Sequence, residues 1–324
     1  MEIIMPRNFN LRESLKFTTY LDTTVDDSEY IYDYINMSTV EPFGMLLISS
    51  KIRKFLSVKG DSSHCAIEYK DKDYAAHMGY FQSVNLDHGK KPGEANGSST
   101  YIPLTHIDIK ESYIEAFNKS ISINEYIEKV YAEKLAGMLC RENEEIKNKL
   151  IYCISEIIRN VYEHSKSNLL CFAGQYWPTK DLVEIAILDE GEGIASTLKR
   201  NKKFLIKSDK QALRLSLKPG VTRSINSNTK NNNDVYINQG FGLYMTSKIC
   251  ENGGNFTICS GNHCLTVQNN DIINNKCSFE GTAIRLRLKP SRLLDINLID
   301  ISKKGQEIMN NVNRKSEITA DSFI

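Results

Sequence analysis

This sequence has almost no net charge: 41 Lys and Arg against 40 Asp and Glu leave +1 over 324 residues. No whole-molecule field draws the chain to nucleic acid or to an acidic membrane, so any electrostatic function is local. It also lacks the uninterrupted run of about 18 apolar residues that a membrane-spanning helix needs. The N-terminus, MEIIMPRNFNLRESLKF, has no basic start followed by an apolar stretch, so it carries no signal-peptide pattern. A cytoplasmic protein is expected. The 8 cysteines are scattered and too sparse for a disulfide scaffold, and reduced, mostly buried thiols are expected. Cys259, His263, Cys264 and Cys277 carry atoms that can bind zinc, but the paired CxxC spacing of a structural site is missing. Absent too are the P-loop pattern Gly-x-x-x-x-Gly-Lys-Ser/Thr, HExxH and GxSxG. Gly191-Glu192-Gly193-Ile194-Ala195-Ser196 ends in Ser where a dinucleotide fold wants Gly or Ala, and an acid before its first glycine would repel pyrophosphate.

What is present suits a globular chain with room for two domains: 41% hydrophobic and 25% charged residues. Residues 28–37 alternate apolar and polar side chains as a half-buried strand does. Pro42 to Leu56 carries apolar residues at helical spacing, with Pro42 suited to a first turn. A strand is expected at 64–69, a helix at 74–84, a Gly- and Pro-rich loop at 86–99 and a strand at 100–104. Together these make a small α/β module over residues 1–112. Helices are expected at 123–135 and 143–165, followed by strands at 168–176 and 183–189 with a turn between them. A long polar segment, 195–239, follows. Its asparagine-rich centre is expected to be mobile. A helix at 243–251 then stops at Gly253–Gly254, strands occupy 256–260 and 282–288, and residues 293–324 form a tail of weak helical character.

Four short blocks within the second part carry chemistry. Glu156-x-x-x-Asn160 puts a carboxylate and an amide oxygen on one face of a helix. The amide oxygen is a neutral hard ligand for Mg²⁺, and the carboxylate can orient or deprotonate a water. Asp189-x-Gly191-x-Gly193-Ile194 follows the apolar strand VEIAIL; its carboxylate can accept from an exocyclic amine, and its glycines let backbone lie against a flat ring. Gly240-Phe241-Gly242-Leu243 opens a helix whose first N–H groups can face phosphate oxygens. Gly281-Thr282 starts a strand and brings a hydroxyl. Taken singly, each block is as well explained by a polar helix stripe, an acidic turn or a glycine-rich turn.

In this order, and on these elements, the blocks resemble the GHKL superfamily of ATP-binding domains, over roughly residues 120–290. The resemblance implies an α/β protein whose C-terminal part, 113–292, is a GHKL-type sandwich, a mixed sheet covered by helices. It implies ATP and Mg²⁺ as cofactors, with Asn160 as the Mg²⁺ ligand and Glu156 at the catalytic-base position. Asp189 would read the adenine amine, Gly191, Gly193 and Ile194 would shape the adenine pocket, and Thr282 would support it. Gly240, Gly242 and Leu243 would stand at the phosphates. Residues 195–239 would be the ATP lid, and ten Lys and Arg between Lys199 and Lys230, against the single acid Asp209, suit closure on a triphosphate. Few aromatics accompany these cations, which disfavours a nucleic-acid partner. His164 is as consistent with a structural histidine as with a site residue.

The implied activity is an Mg-dependent ATPase or a protein kinase. His106 is the upstream candidate for a phosphoacceptor, but its surroundings, PLTHIDIKES, lack the histidine-kinase pattern. That leaves a serine/threonine kinase of the anti-sigma type, an ATPase that signals through its lid, or a non-catalytic module for which ATP is a conformational ligand. The N-terminal region also resembles STAS-type domains, through Val40-Glu41-Pro42-Phe43-Gly44-Met45-Leu46-Leu47 opening a helix after a strand. That resemblance implies a protein partner for the first module. Related ATPases often pair, so a homodimer is compatible with the reading.

Overall fold

The computed structural model describes residues 1–140, 144–221, 240–251, 254–312, 318, 319 and 322. The N-terminal part opens with β1 (Glu2–Ile4), β2 (Asn8–Phe9) and α1 (Leu11–Asp22), followed by β3 (Glu29–Asp33), β4 (Thr39–Val40), α2 (Pro42–Val58) and β5 (Ser63–Ile67). Asn10 caps α1 by accepting from Glu13 N–H at 3.0 Å, and Pro42 occupies the first turn of α2, where a missing N–H costs nothing. The strands β1, β3 and β5 form a parallel sheet in that order, and β2 pairs β4 in a second parallel ribbon. The helix expected at 74–84 is broken into α3 (Asp73–His77) and α4 (Tyr80–Ser83), because Gly79 adopts φ +88 between them.

The next strand departs from the sequence-based expectation. β6 (Tyr101–Asp108) does not join the N-terminal sheet; it is the edge strand of the second one. After it come α5 (Ile109–Asn118), α6 (Ile123–Tyr126), a π-helical turn at Ile127–Ala132 and α7 (Glu133–Cys140). The helix α8 (Glu144–Asn160) runs into a second π-helical turn at Val161–Ser165, and β7 (Leu169–Trp177) and β8 (Leu182–Asp189) follow. The chain continues through α9 (Gly193–Leu198), α10 (Asp209–Ser216), α11 (Gly242–Glu251), β9 (Gly254–Gln268), β10 (Asp271–Leu288) and α12 (Leu298–Val312).

The second sheet has the order β6-β7-β8-β10-β9, and every pairing in it is antiparallel, whereas a mixed sheet was expected. The reason is connectivity. β7 turns directly into β8 through the 3-10 turn Pro178–Lys180, and β9 turns into β10 at Asn269 and Asn270, two residues in left-handed backbone; such short turns reverse the chain. The expected strands 256–260 and 282–288 are the inner halves of this long hairpin.

Both faces of that sheet are buried, with period-2 alternation deciding which side chain goes where. Val183, Ile185 and Ile187 of β8 pack with α7, α8 and α11 residues such as Leu139, Ile154, Ile157 and Tyr244. Ala186 and Leu188 face the other way, into one core with Phe43, Leu47 and Phe81 of the N-terminal part. The first half of α2, from Pro42 to Ser50, is buried all round because the helix is covered on two sides: Phe55 packs edge-on against Tyr30 of β3, while the Phe43 N–H donates to Glu184 of β8 at 3.1 Å. Among the described residues no helix is long and apolar enough to cross a membrane. Most of the expected mobile centre lies in 222–239, outside the described residues, as does Gly253 at the expected helix stop. The expected tail holds the helix α12.

Candidate functional site

The site is built where α8, β8, β10 and α11 converge. β8 ends at Asp189, and the register of the antiparallel pair sets Thr282 of β10 directly opposite it. Asp189 is buried, and its Oδ1 accepts from the Gly191 N–H at 2.9 Å. Burial pushes its carboxyl up to about 7, against the opposing effects of hydrogen bonds from Gly191 and Thr282. A carboxylate held away from water with few donors is primed to take a donor from a ligand.

Asp189 and Thr282 open into a cavity of about 80 Å³. Ile157, Ile187, Ile194, Leu198, Leu243 and Ile284 supply apolar walls, while Asn160, His164, Ser165, Thr197 and Ser216 supply polar atoms. This is the composition of a small-molecule site: apolar walls with a few convergent polar groups. Asn160 reaches it from the exposed end of α8. His164 lies one turn on, in the π-helical segment; its Nδ1 is buried without a hydrogen-bond partner, and its Nε2 stands 3.6 Å from Glu163.

The glycines are held by contacts rather than by the cavity itself. A Cβ on Gly191 would stand 2.1 Å from the Ser165 carbonyl oxygen. Gly193 has φ +77 and opens α9 beside Ser260, whose hydroxyl accepts from Ile194 N–H at 3.0 Å and donates to the Gly281 carbonyl at 2.7 Å. Gly240 has φ +86, and its carbonyl accepts from Gly220 N–H at 3.1 Å, which closes the two ends of the segment 221–240 onto each other. Gly242 begins α11 against α8: a Cβ there would lie 2.3 Å from the Cβ of Glu156.

The structure thus brings Asn160, Asp189, Gly193, Ile194, Leu243 and Thr282 to one cavity. Gly191, Gly240 and Gly242 form its supporting frame. Glu156 does not line it. Its buried carboxylate pairs with Arg159 on the same helix and packs against the start of α11. Sequence reasoning missed the wall contributed by Ser216 and Val221, at the end of α10 and just beyond. The signal was there: Ala212, Leu213, Leu215 and Leu217 are apolar within the polar segment, and they bury α10 against β9. His106 is on a strand rather than on a helix, opposite Cys171, and burial followed by the nearby Arg53 lowers its ring to about 4. Cys259, Cys264 and Cys277 are buried in the core beneath the sheet, and the described residues contain no group of three or more His, Cys, Asp or Glu side chains arranged to hold a metal ion.

No protein-family model and no curated protein matches this chain. What the site can do therefore rests on its own residues and geometry.

Proposed function

We propose that this chain binds ATP with Mg²⁺ in the cavity between α8, β8, β10 and α11. The observation that supports this reading most is the buried Asp189 carboxylate in the wall of a largely apolar cavity, with Thr282 opposite it on the paired strand and Asn160 in the same lining. A purine ring suits such walls, and its exocyclic amine would add a donor to those that Gly191 and Thr282 already give Asp189. The residues fit the group at three points. Asp189 and Thr282 would hold the base, Asn160 would ligate Mg²⁺, and the opening turn of α11 at Gly242 and Leu243 would face the phosphates. Bound Mg²⁺ supplies charge neutralisation at the phosphates. The Lys and Arg of the lid, from Lys199 onward, would add to that neutralisation.

In its catalytic form the proposal is an ATPase or a phosphotransferase, including a serine/threonine kinase of the anti-sigma type, with Glu156 activating the attacking oxygen. A second reading has a specific observation behind it. Glu156 pairs with Arg159 and is not among the residues that line the cavity, which favours a module that binds ATP as a conformational ligand and signals through the N-terminal part to a protein partner. Phosphate release separates the two. Turnover that drops at least tenfold in Glu156→Gln supports the enzyme; tight ATP binding with no turnover in wild type leaves the binding module. A cytoplasmic location, pairing of two copies and the STAS-like character of the first module belong to this proposal too.

A further inference from the structure

The middle of α2 meets the two strand ends that carry the polar pair of the site. Ser50 is buried, and its Oγ donates to Oε1 of Glu190 at 2.6 Å. The Arg53 guanidinium ion-pairs with the same oxygen and also donates to the Ser83 carbonyl at 3.1 Å. Glu190 immediately follows Asp189, and its own N–H is donated to the Ser167 hydroxyl at 3.3 Å. On the neighbouring strand, Lys51 donates to Ser278 at 3.1 Å and Lys54 pairs with Glu280 at 2.9 Å, two residues before Thr282. The backbone between these contacts is tight: a Cβ on Gly281 would stand 2.1 Å from the Asp189 carbonyl oxygen. Thus four positions of one N-terminal helix, 50, 51, 53 and 54, grip both sides of the Asp189–Thr282 pair.

We propose that Glu190, held by Ser50 and Arg53, is a positioning residue for Asp189, and that through this joint α2 carries the state of the nucleotide pocket into the N-terminal module. The inference rests on the ATP reading of the cavity. Its physical basis is leverage. Asp189 cannot shift toward a ligand without moving Glu190, and Glu190 is bonded to a helix packed into the core of the N-terminal part. The joint also matters electrostatically. Glu190 is a negative charge beside the Asp189 carboxyl, and Arg53 offsets it.

The test uses the full chain, with Mg·ATP and Mg·GTP as probes, isothermal titration for affinity and hydrogen exchange for α2. In wild type, ATP is expected to bind in preference to GTP and to slow amide exchange in residues 50–58. Glu190→Ala is expected to weaken ATP about tenfold, the effect of losing charge-assisted hydrogen bonds, while leaving GTP affinity unchanged. At saturating ATP it should also lose the slowing in α2. Glu190→Gln keeps a partner for Ser50 and should recover most of the discrimination. A merely structural role would lower stability without changing the ATP-to-GTP ratio. Should Glu190→Ala not fold, Ser50→Ala removes one hydroxyl and should shift the same ratio in the same direction. An unchanged ratio together with unchanged α2 protection overturns the inference while leaving the pocket intact. Absence of ATP binding by wild type is a different result, and overturns the pocket reading and this inference with it.

Discussion

At the scale of single residues the site turns on one carboxyl group. Asp189 has a folded-state pKa of about 7, above the ordinary aspartate value, and burial is the largest cause. The native chain therefore holds this proton more tightly than the unfolded chain does. Stability falls as pH rises from about 4 to about 7, and the penalty, up to about 4 kcal/mol, is fully present above that window. Asp189→Asn should consequently melt several degrees above wild type at pH 8, with the difference gone near pH 4; equal melting at both pH values would contradict the burial argument. The same group sets the ligand's pH dependence. An amine donor prefers the ionised carboxylate, so adenosine, uncharged over this range, should bind more weakly as pH drops through about 7, by up to about tenfold per unit. Titration calorimetry at pH 6 and 8 would measure this. His164 adds a second residue-scale feature, a buried Nδ1 with no partner in the cavity wall.

At the scale of elements, the site's strands and helices were largely legible in the sequence. β7, β8, α11, and α8 taken with the π-helical turn that continues it, lie within a residue or two of their expected bounds, because Leu150, Cys153, Ile154, Ile157 and Val161 recur at helical spacing and VEIAIL is an uninterrupted strand core. Elements whose burial comes from distant partners were not legible. β6 has the pattern of any short strand, and nothing local says that its partner is β7, some sixty residues on. In the outer half of the β9–β10 hairpin the β10 strand, DIINNK, is exposed, so its sequence carries no alternation to find. The chemistry-bearing blocks could be ordered along the chain, yet the orientation of Glu156 could not, since it depends on Arg159 and on how closely α11 approaches. That approach is testable. Gly242→Ala puts a methyl group 2.3 Å from the Cβ of Glu156. Overpacking at such a contact should cost about 1–3 kcal/mol in urea denaturation, and ATP affinity should fall because the first turn of α11 is displaced.

At the scale of the whole molecule, the five-stranded sheet is shared. Its second face, with Cys171, Ala173, Ala186, Leu188, Cys259 and Phe279, belongs to the same core as Phe43, Leu47 and Tyr80 of the N-terminal part. One cooperative thermal transition is therefore expected, and two resolved transitions would contradict the shared core. A buried ionic group lies at that junction. Glu184 is fully buried and accepts from Arg285 Nε at 2.8 Å, while Arg285 also donates to Asn255 at 2.9 Å. Arg285→Met should cost up to about 3 kcal/mol, because Glu184 keeps Arg287 at 3.4 Å but loses its nearer cation, and adding Glu184→Leu should recover part of the loss. The function proposed for this architecture, nucleotide binding in one half coupled to the other, depends first on whether the cavity takes ATP. Titration of the full chain with Mg·ATP at pH 8, in wild type and in Asp189→Asn, tests that most directly. Saturable binding by wild type, weakened at least about tenfold in Asp189→Asn by loss of a charge-assisted bond to the base, is the predicted result. No binding by wild type, or equal binding by both proteins, would contradict it.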